Sequence, residues 1–388
     1  MNGPPSSHPA AAPVRLTQPV AGPGVLDELS DALATGWLTT GPRVARFEDA
    51  VGRRLGPDVH AAGVASCTDA LRLALRARGI GPGDEVITST WTFSATAEAI
   101  ASVGATPVLV DVTAGSLNID PEAVAAAITP RTAALLPVHF AGLPVPMDAL
   151  DRLAADHGLH VIEDAAHAFG AARRGVPIGA RPGTIACFSF HATKNLSCGE
   201  GGLLATDDAE LADRVRSWRR HARRGGVDPA RPWRYDIVDR GDKCNLSDVH
   251  AALGLAGLQR FDADQARRAA LAQRYRRGLA DLPVDLPPEA PAGDRHGLHL
   301  FVIQVRDEAA LDRDALYRAL DARAIETSVH FWPLHRMSHW RATLRGPEGR
   351  FPVADAAAER VLSLPFHAGL TDADQDRVIA ALASLLTP

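Results

Sequence analysis

The chain has 388 residues, 46% hydrophobic and 22% charged, a globular balance sized for one large domain and a smaller one. Its 41 Lys and Arg against 46 Asp and Glu leave a net charge of −5, so no basic excess points to nucleic acid or an acidic membrane surface. No apolar run approaches the roughly 20 residues of a membrane span. The four cysteines, Cys67, Cys187, Cys198 and Cys244, have no paired spacing, so neither a disulfide framework nor a zinc site is indicated. The opening "MNGPPSSHPAAAP" has no charged segment followed by an apolar one. It is expected to be a flexible tail over residues 1–14, and the protein a cytoplasmic one.

From residue 60 to about 206, short apolar runs alternate with helical patterns. The strand candidates are "HAAGVAS", "DEVITST", "TPVLVDV", "TAALLPVHF", "LHVIEDA", "IACFSF" and "GGLLATD". Between the early ones sit "TDALRLALRARG", "FSATAEAIASVG", "DPEAVAAAI" and "PMDALDRLAADHG", with apolar residues at helical spacing and Gly or Pro punctuation. Near-continuous apolar strands alternating with helices predict an α/β fold with a mostly parallel sheet covered on both faces. "DAELADRVRSWRRHA" reads as a further helix, and residues 206–245 then turn irregular and rich in Arg, Gly and Pro. A long helical stretch beginning "LSDVHAALGLAGLQRF" can link two domains. After it come a strand candidate "HLFVIQV", a helix "DRDALYRALDARAI", the segment "ETSVHF" and a last helix opened by Thr371-x-x-Asp374. The expected division is a large domain over 15–260 and a small α+β domain over 261–388.

In open α/β sheets, ligands bind beyond the carboxyl ends of the strands. Three predicted strand ends carry chemistry. "VASCTDAL" puts Ser66, Cys67, Thr68 and Asp69 where a strand gives way to a helix, and the free N–H groups of that first turn favour an anion such as phosphate. The same residues can serve as a plain N-cap through Ser66 or Thr68. "VIEDAAHAFG" ends a strand with Glu163 and Asp164; an aspartate there can hold a cation or pair with a protonated ring nitrogen, or cap the next helix. His157 and His160 fall at the opposite end of that strand, which argues against a metal site with these acids. "IACFSFHATKNLSCGEGG" brings Lys194 to the end of an apolar strand amid small and hydroxylated residues. A lysine in that position is either solvated in a loop or desolvated toward its nucleophilic form. No G-x-G-x-x-G follows a strand and no G-x-x-x-x-G-K-[ST] occurs, so dinucleotide and P-loop readings lose their main support. An anion cradle, an acid and a lysine at three strand ends meet the needs of pyridoxal 5′-phosphate.

The chain resembles the DegT/DnrJ/EryC1/StrS family of sugar aminotransferases. The resemblance runs from "GWLTTGPRVARFEDAV" to the C-terminus through "DEVITSTWTFSATAEAI", "AAITPRTAALLPVHFAG", "VIEDAAHAFGA", "CFSFHATKNLSCGEGG" and "NLSDVHAALGL". It implies the type I, aspartate aminotransferase-like fold and pyridoxal 5′-phosphate as cofactor. "FSFHATKN" and "EDAAHA" are most similar to the branch that aminates C-4 of nucleotide-linked keto sugars, such as the UDP-4-amino-4-deoxy-L-arabinose aminotransferases. On this resemblance Lys194 carries the cofactor as a Schiff base and later moves the proton, and Asp164 holds the pyridinium nitrogen. His167, where the family usually has glutamine, lies near the phenolic oxygen, and Phe93 stacks on the ring. Thr68, Asp69 and Ser189 hold the phosphate, with Cys67 contributing only a backbone N–H in place of the usual Gly or Ala.

Asn245, in "KCNLSD", matches a residue that reaches the phosphate from a partner subunit, which implies a homodimer with shared sites. His330 lies close to the substrate pocket or serves as a structural histidine in a strand. The usual "GYNYR"-like segment reads "GDKCN" here, so Asn245 rests on the C-4 branch alone. Lys194 excludes the related sugar 3-dehydratases, which carry histidine at that position. The expected reaction moves nitrogen from L-glutamate to C-4 of a UDP- or dTDP-linked 4-ketohexose, 6-deoxy or not, or a related keto sugar, with arginines between Arg214 and Arg234 as candidate diphosphate partners. A keto-cyclitol acceptor, or a non-catalytic sugar-nucleotide sensor on the same fold, are the alternatives.

Overall fold

The computed structural model of the chain describes residues 12–225, 230–343 and 351–387. Two helices, α1 (Val25–Thr35) and α2 (Pro42–Leu55), precede the α/β region. Its strands are β1 (His60–Val64), β2 (Glu85–Ser89), β3 (Thr106–Val110), β4 (Thr132–Leu136), β5 (His160–Asp164), β6 (Ile185–Ser189) and β7 (Gly202–Thr206). Among the described residues these seven form one sheet in the order β1-β7-β6-β5-β4-β2-β3. β7 runs antiparallel to both neighbours, whereas the pairs from β6 to β3 are parallel. The strands expected from the apolar runs are therefore present, somewhat shorter than the runs themselves. In "TAALLPVHF" the regular ladder of β4 ends at Leu136, because Pro137 has no N–H to give it, and a single parallel bridge from Val138 to Asp164 carries the pairing on.

Helices cover both faces: α3 (Cys67–Ala77), α4 (Ser94–Ser102), α5 (Pro121–Ala127), α6 (Asp148–His157) and α7 (Ala209–Trp218). On one face Leu71, Leu73, Leu75 and Ile100 pack over Ile162, Ile185 and Leu204, all almost fully buried. On the other, Phe47, Phe169, Phe188, Phe190 and Phe261 interlock, with ring centroids of Phe47 and Phe190 5.2 Å apart. α7 stops at Trp218, before "RRHA", where His221 and Ala222 adopt positive φ. The arginine-rich segment then forms a two-stranded ribbon, Arg223–Gly225 against Tyr235–Ile237. Residues 226–229 of that segment lie outside the described residues.

The long helix α8 (Asp248–Gly278) serves two cores. Its residues up to Phe261 pack with α2 and β6, whereas Leu271, Ala272 and Tyr275 belong to a second core with Phe301, Ile303, Leu362 and Leu382. That second core is built on a three-stranded antiparallel sheet of β8 (Val284–Asp285), β9 (Phe301–Val305) and β10 (Val361–Leu364). It also carries α9 (Arg313–Asp321) and α12 (Asp372–Leu386), whereas α10 (Ser338–Thr343) packs through Trp340 on Ala97 and Leu109, and α11 (Pro352–Ala358) through Ala354 and Ala357 in a cluster with Trp91 and Phe140. The expected start of α12 is present: Thr371 Oγ1 accepts from the Asp374 N–H at 3.0 Å. "ETSVHF" is not a strand; only Ser328 bridges to Ser363, and the chain leaves the sheet edge toward the cavity described below. Residues 1–11 of the expected tail lie outside the described residues, and Val14 is paired in a parallel bridge with Ile325 and buried in the second core. No helix among the described residues is long and apolar enough to cross a membrane.

Candidate active site

The carboxyl ends of β1, β5 and β6 open on a cavity of about 450 Å³ between the large sheet and the small sheet. Lys194, Asp164, His167, Thr68, Cys67, Ser189, Phe93 and His330 all line it. The sequence had spread these residues over more than 260 positions. Parallel strands bring all but His330 together, because the carboxyl ends of β1 to β6 point the same way.

The pleat of β5 separates its two acids. Glu163 faces the interior, where the His139 Nε2–H donates to it at 2.9 Å and Arg181 at 2.9 Å. The His139 tautomer follows from its Nδ1, which accepts from the Val145 N–H at 3.0 Å. Burial opposes ionisation of Glu163, yet His139 and Arg181 hold its carboxyl down at about 2. Asp164, one residue on, faces the cavity. It accepts from the Thr96 hydroxyl at 2.8 Å and the Ala166 N–H at 3.1 Å, both neutral donors. Burial raises its pKa, which those hydrogen bonds and the Lys194 charge only partly oppose. A buried carboxylate held by neutral donors alone lacks a close cationic partner. It is suited to a protonated ring nitrogen.

Lys194 sits half-buried after β6, in a turn where its N–H bonds the His191 carbonyl at 2.9 Å. Burial pushes its amine down to about 8, with Cys67 and Asp164 pulling the other way. The glycines beyond it have a packing reason. A Cβ on Gly202 would lie 2.2 Å from the Ser66 carbonyl carbon and 2.5 Å from the Cys67 nitrogen, so only glycine lets β7 pass beneath the start of α3.

At that start, Ser66 is the N-cap and its Oγ accepts from the Asp69 N–H at 3.1 Å. The Cys67 thiol donates to the Cys187 carbonyl at 3.3 Å, which leaves only the Cys67 backbone for a ligand. Of the two readings of this turn the cap is realised by Ser66, and the Cys67 and Thr68 N–H groups at the positive end of the helix fit the other, an anion. Asp69 does not belong with them. Its N–H is spent on the cap, its carboxylate bonds Ser66 at 2.8 Å and Arg72 at 3.0 Å, and it does not line the cavity. A carboxylate beside a phosphate would also repel it.

Three histidines share one wall. His167 Nδ1 accepts from the Ala141 N–H at 3.3 Å, so its proton is on Nε2. Burial, then Lys194, holds this ring well below the usual histidine range. His330 Nδ1 pairs with the Ser363 hydroxyl at 2.8 Å, and burial pushes it to about 4. His299, which sequence reasoning missed, lies 4.4 Å from His167 between ring centroids. Phe93 is 64% exposed at the mouth, 6.2 Å from Phe331. Asn245 lies away from its own chain's cavity, with its amide on Thr39 and Thr40 at 3.1 and 2.8 Å.

A half-buried low-pKa lysine, a cation-less buried aspartate and a bare helix N-terminus in one cavity fit pyridoxal 5′-phosphate, and the surrounding architecture is that of the PLP-dependent aminotransferases. The chain belongs to the DegT/DnrJ/EryC1/StrS aminotransferase family, which it matches over residues 22–383. It is 43% identical over 380 residues to the spore coat polysaccharide biosynthesis protein SpsC of Bacillus subtilis (strain 168), covering 95% of this chain and 96% of that one. DesV of S. venezuelae, solved with a ketimine intermediate, is 41% identical with a TM-score of 0.85, over 93% of each chain. The PLP form of the sugar aminotransferase Spr1654 of Streptococcus pneumoniae, described as putative, is 29% identical with a TM-score of 0.88, over 97% of this chain and 100% of that one. The protein is a PLP-dependent sugar aminotransferase.

Proposed function

We propose that the enzyme transfers the amino group of L-glutamate to C-4 of a UDP- or dTDP-linked 4-keto-6-deoxyhexose. The observation that carries the transamination chemistry is the pairing of Asp164, buried without a close cation, with the low-pKa Lys194 in one cavity; the glutamate donor and the C-4 acceptor rest on the resemblance of "FSFHATKN" and "EDAAHA" to the C-4 branch. When bound, the cofactor supplies an aldehyde for amine exchange and a sink for the electrons released at the carbon that loses its proton. Lys194 would hold the cofactor through its amine, and its neutral form would take and return that proton. Asp164 keeps the ring nitrogen protonated, and Thr96 and the Ala166 N–H fix the carboxylate in place. The His167 Nε2–H would donate to the cofactor's phenolic oxygen, and Phe93 at the cavity mouth would pack against its ring. The N–H groups of Cys67 and Thr68, with the hydroxyls of Thr68 and Ser189, take the phosphate.

A homodimer belongs to the same reading, with Asn245 of each chain completing its neighbour's phosphate site. Support comes from exposed apolar side chains on α1, on the ribbon and in the turn before its second strand, where Leu26, Leu33, Tyr235 and Trp233 are 57–74% exposed. Arg223 and Arg224, exposed on that ribbon, are candidates for the diphosphate. A cytoplasmic setting fits four cysteines that are all free thiols. The sugar acceptor is favoured over a keto-cyclitol by the description of SpsC as a polysaccharide biosynthesis protein. The test is a half-reaction screen: load the amine form of the cofactor, add candidate keto compounds, and follow the return of the lysine-bound absorbance. Nucleotide-linked 4-keto sugars should restore it. A clear preference for a keto-cyclitol would overturn the acceptor assignment.

A further inference from the structure

His299 has no place in the roles above, yet it is 6% exposed and lines the cavity beside His167. Its tautomer can be read from its neighbours. Asn195, the residue after Lys194, donates through Nδ2 to the Gly297 carbonyl and to Gln265 Oε1, so its Oδ1 is an acceptor. The Gln265 orientation agrees, because its own Nε2 donates to the Gly297 carbonyl at 3.0 Å. That Asn195 Oδ1 lies 3.2 Å from His299 Nδ1, which must therefore carry the proton. His299 Nε2 is left as a bare acceptor, with no partner among the described residues. His167 is the reverse case, with its acceptor used and its Nε2–H free. The two rings thus offer one donor and one acceptor side by side.

The surroundings select what the acceptor can take. The charged or titratable groups around His299 are Lys194, His167, His330 and Arg268, and Arg268 donates to the Leu298, His299 and Phe366 carbonyls. Burial and these groups together keep the ring neutral. No carboxylate is among them, so an ammonium would meet only positive or neutral neighbours. A neutral donor suits the position, and a sugar is rich in hydroxyls.

We propose that His299 is a specificity-determining residue whose Nε2 accepts a hydrogen bond from a ring hydroxyl flanking the acceptor's carbonyl, an inference that rests on the keto-sugar reading above. Asn195 acts through it, as a positioning residue that fixes the tautomer.

The test compares pairs of nucleotide-linked sugars that differ only in that hydroxyl. The keto pair gives a ratio of kcat/KM, and an unreactive pair with the carbonyl reduced gives a ratio of Kd on the holoenzyme by calorimetry. The wild type should favour the hydroxylated member about tenfold in both, the worth of one neutral hydrogen bond. His299→Phe should bring both ratios to about one. Asn195→Leu, which leaves His299 in place but frees its tautomer, should lower them at least about threefold and serves where His299→Phe does not fold. Ratios unchanged in the variants, or no preference in the wild type, would overturn the role of His299. If no keto sugar is accepted by the wild type at all, the keto-sugar reading fails and this inference with it.

Discussion

Stripped of cofactor, the protein should show a Lys194 amine that titrates near 8. The cause is burial after β6, which lowers the group from 10.5 to about 8 against the opposing pull of Cys67 and Asp164. That difference of about 2.5 units is about 3 kcal/mol in favour of the neutral amine. At pH 7 about one amine in ten is then neutral, against about one in 3000 for a solvated lysine. Between about 8 and 10.5 the unfolded chain binds more protons here than the folded one, so this group stabilises the fold as pH rises through that window. Asp164→Asn removes a charge that favours the ammonium, so the midpoint should move below that of the wild type. The assay is acylation of the cofactor-free protein at neutral to alkaline pH, with the Lys194 peptide quantified by mass spectrometry. A midpoint at or above that of a free lysine would refute the burial argument. An upward shift in Asp164→Asn would refute the coupling.

Other changes should separate the groups by role. Lys194→Ala is expected to abolish turnover and the absorbance that borohydride fixes covalently, while noncovalent cofactor binding is measured by dialysis. Asp164→Ala should slow the glutamate half-reaction by roughly 10²–10³ in stopped-flow, because a charged contact that strengthens as electrons enter the ring acts mainly in the transition state. Mixing Lys194→Ala chains with Asn245→Ala chains should restore activity above either parent, since one hybrid site then holds both native residues; full activity in a monomer by light scattering would contradict that. Glu163→Gln should lower Tm near neutral pH through loss of the His139 and Arg181 pairs. Its carboxyl lies lower in the folded state than its ordinary 4.5, at about 2. The stability it contributes is therefore present above about 4.5 and lost toward 2, and the gap between wild type and variant should close over that range.

The parallel strands were legible because a strand covered on both faces must be apolar at nearly every position, and such runs stand out between helical patterns. The first two helices were not read as elements. α1 begins after Gly24 in left-handed conformation and exposes Leu26 and Leu33, and α2 follows directly on "TTGP", which reads as a turn. Their partner is α8, more than 190 residues away, and no local pattern announces that packing. Asp69 was misplaced for a different reason. Helix capping and phosphate binding draw on the same residue types, and only the Ser66 and Arg72 contacts decide which one Asp69 serves. His299 was missed because "GLHLFVIQV" is a strand signature in which one histidine is unremarkable. Its meaning comes from Asn195, 104 positions earlier, across the contact between the large sheet and the small one.

Glu163 and Asp164 put the limit most sharply. The sequence presents two adjacent acids at the end of one strand, and nothing in their local text ranks them. The pleat sends one to each side, and what waits there does the rest. On Glu163's side the chain supplies a protonated histidine nitrogen and a guanidinium, so the charge is fully matched and has no further work to do. On Asp164's side it supplies a hydroxyl and an amide, enough to hold the carboxylate still but not to neutralise it. Lys194 shares that cavity without a direct bond to Asp164, and its own charge is weakened by burial. Neither group has its complement among the described residues. A residue pair left in that state inside a folded protein must be completed by something that brings a cationic nitrogen to one and a carbonyl carbon to the other, and pyridoxal 5′-phosphate carries both on one ring.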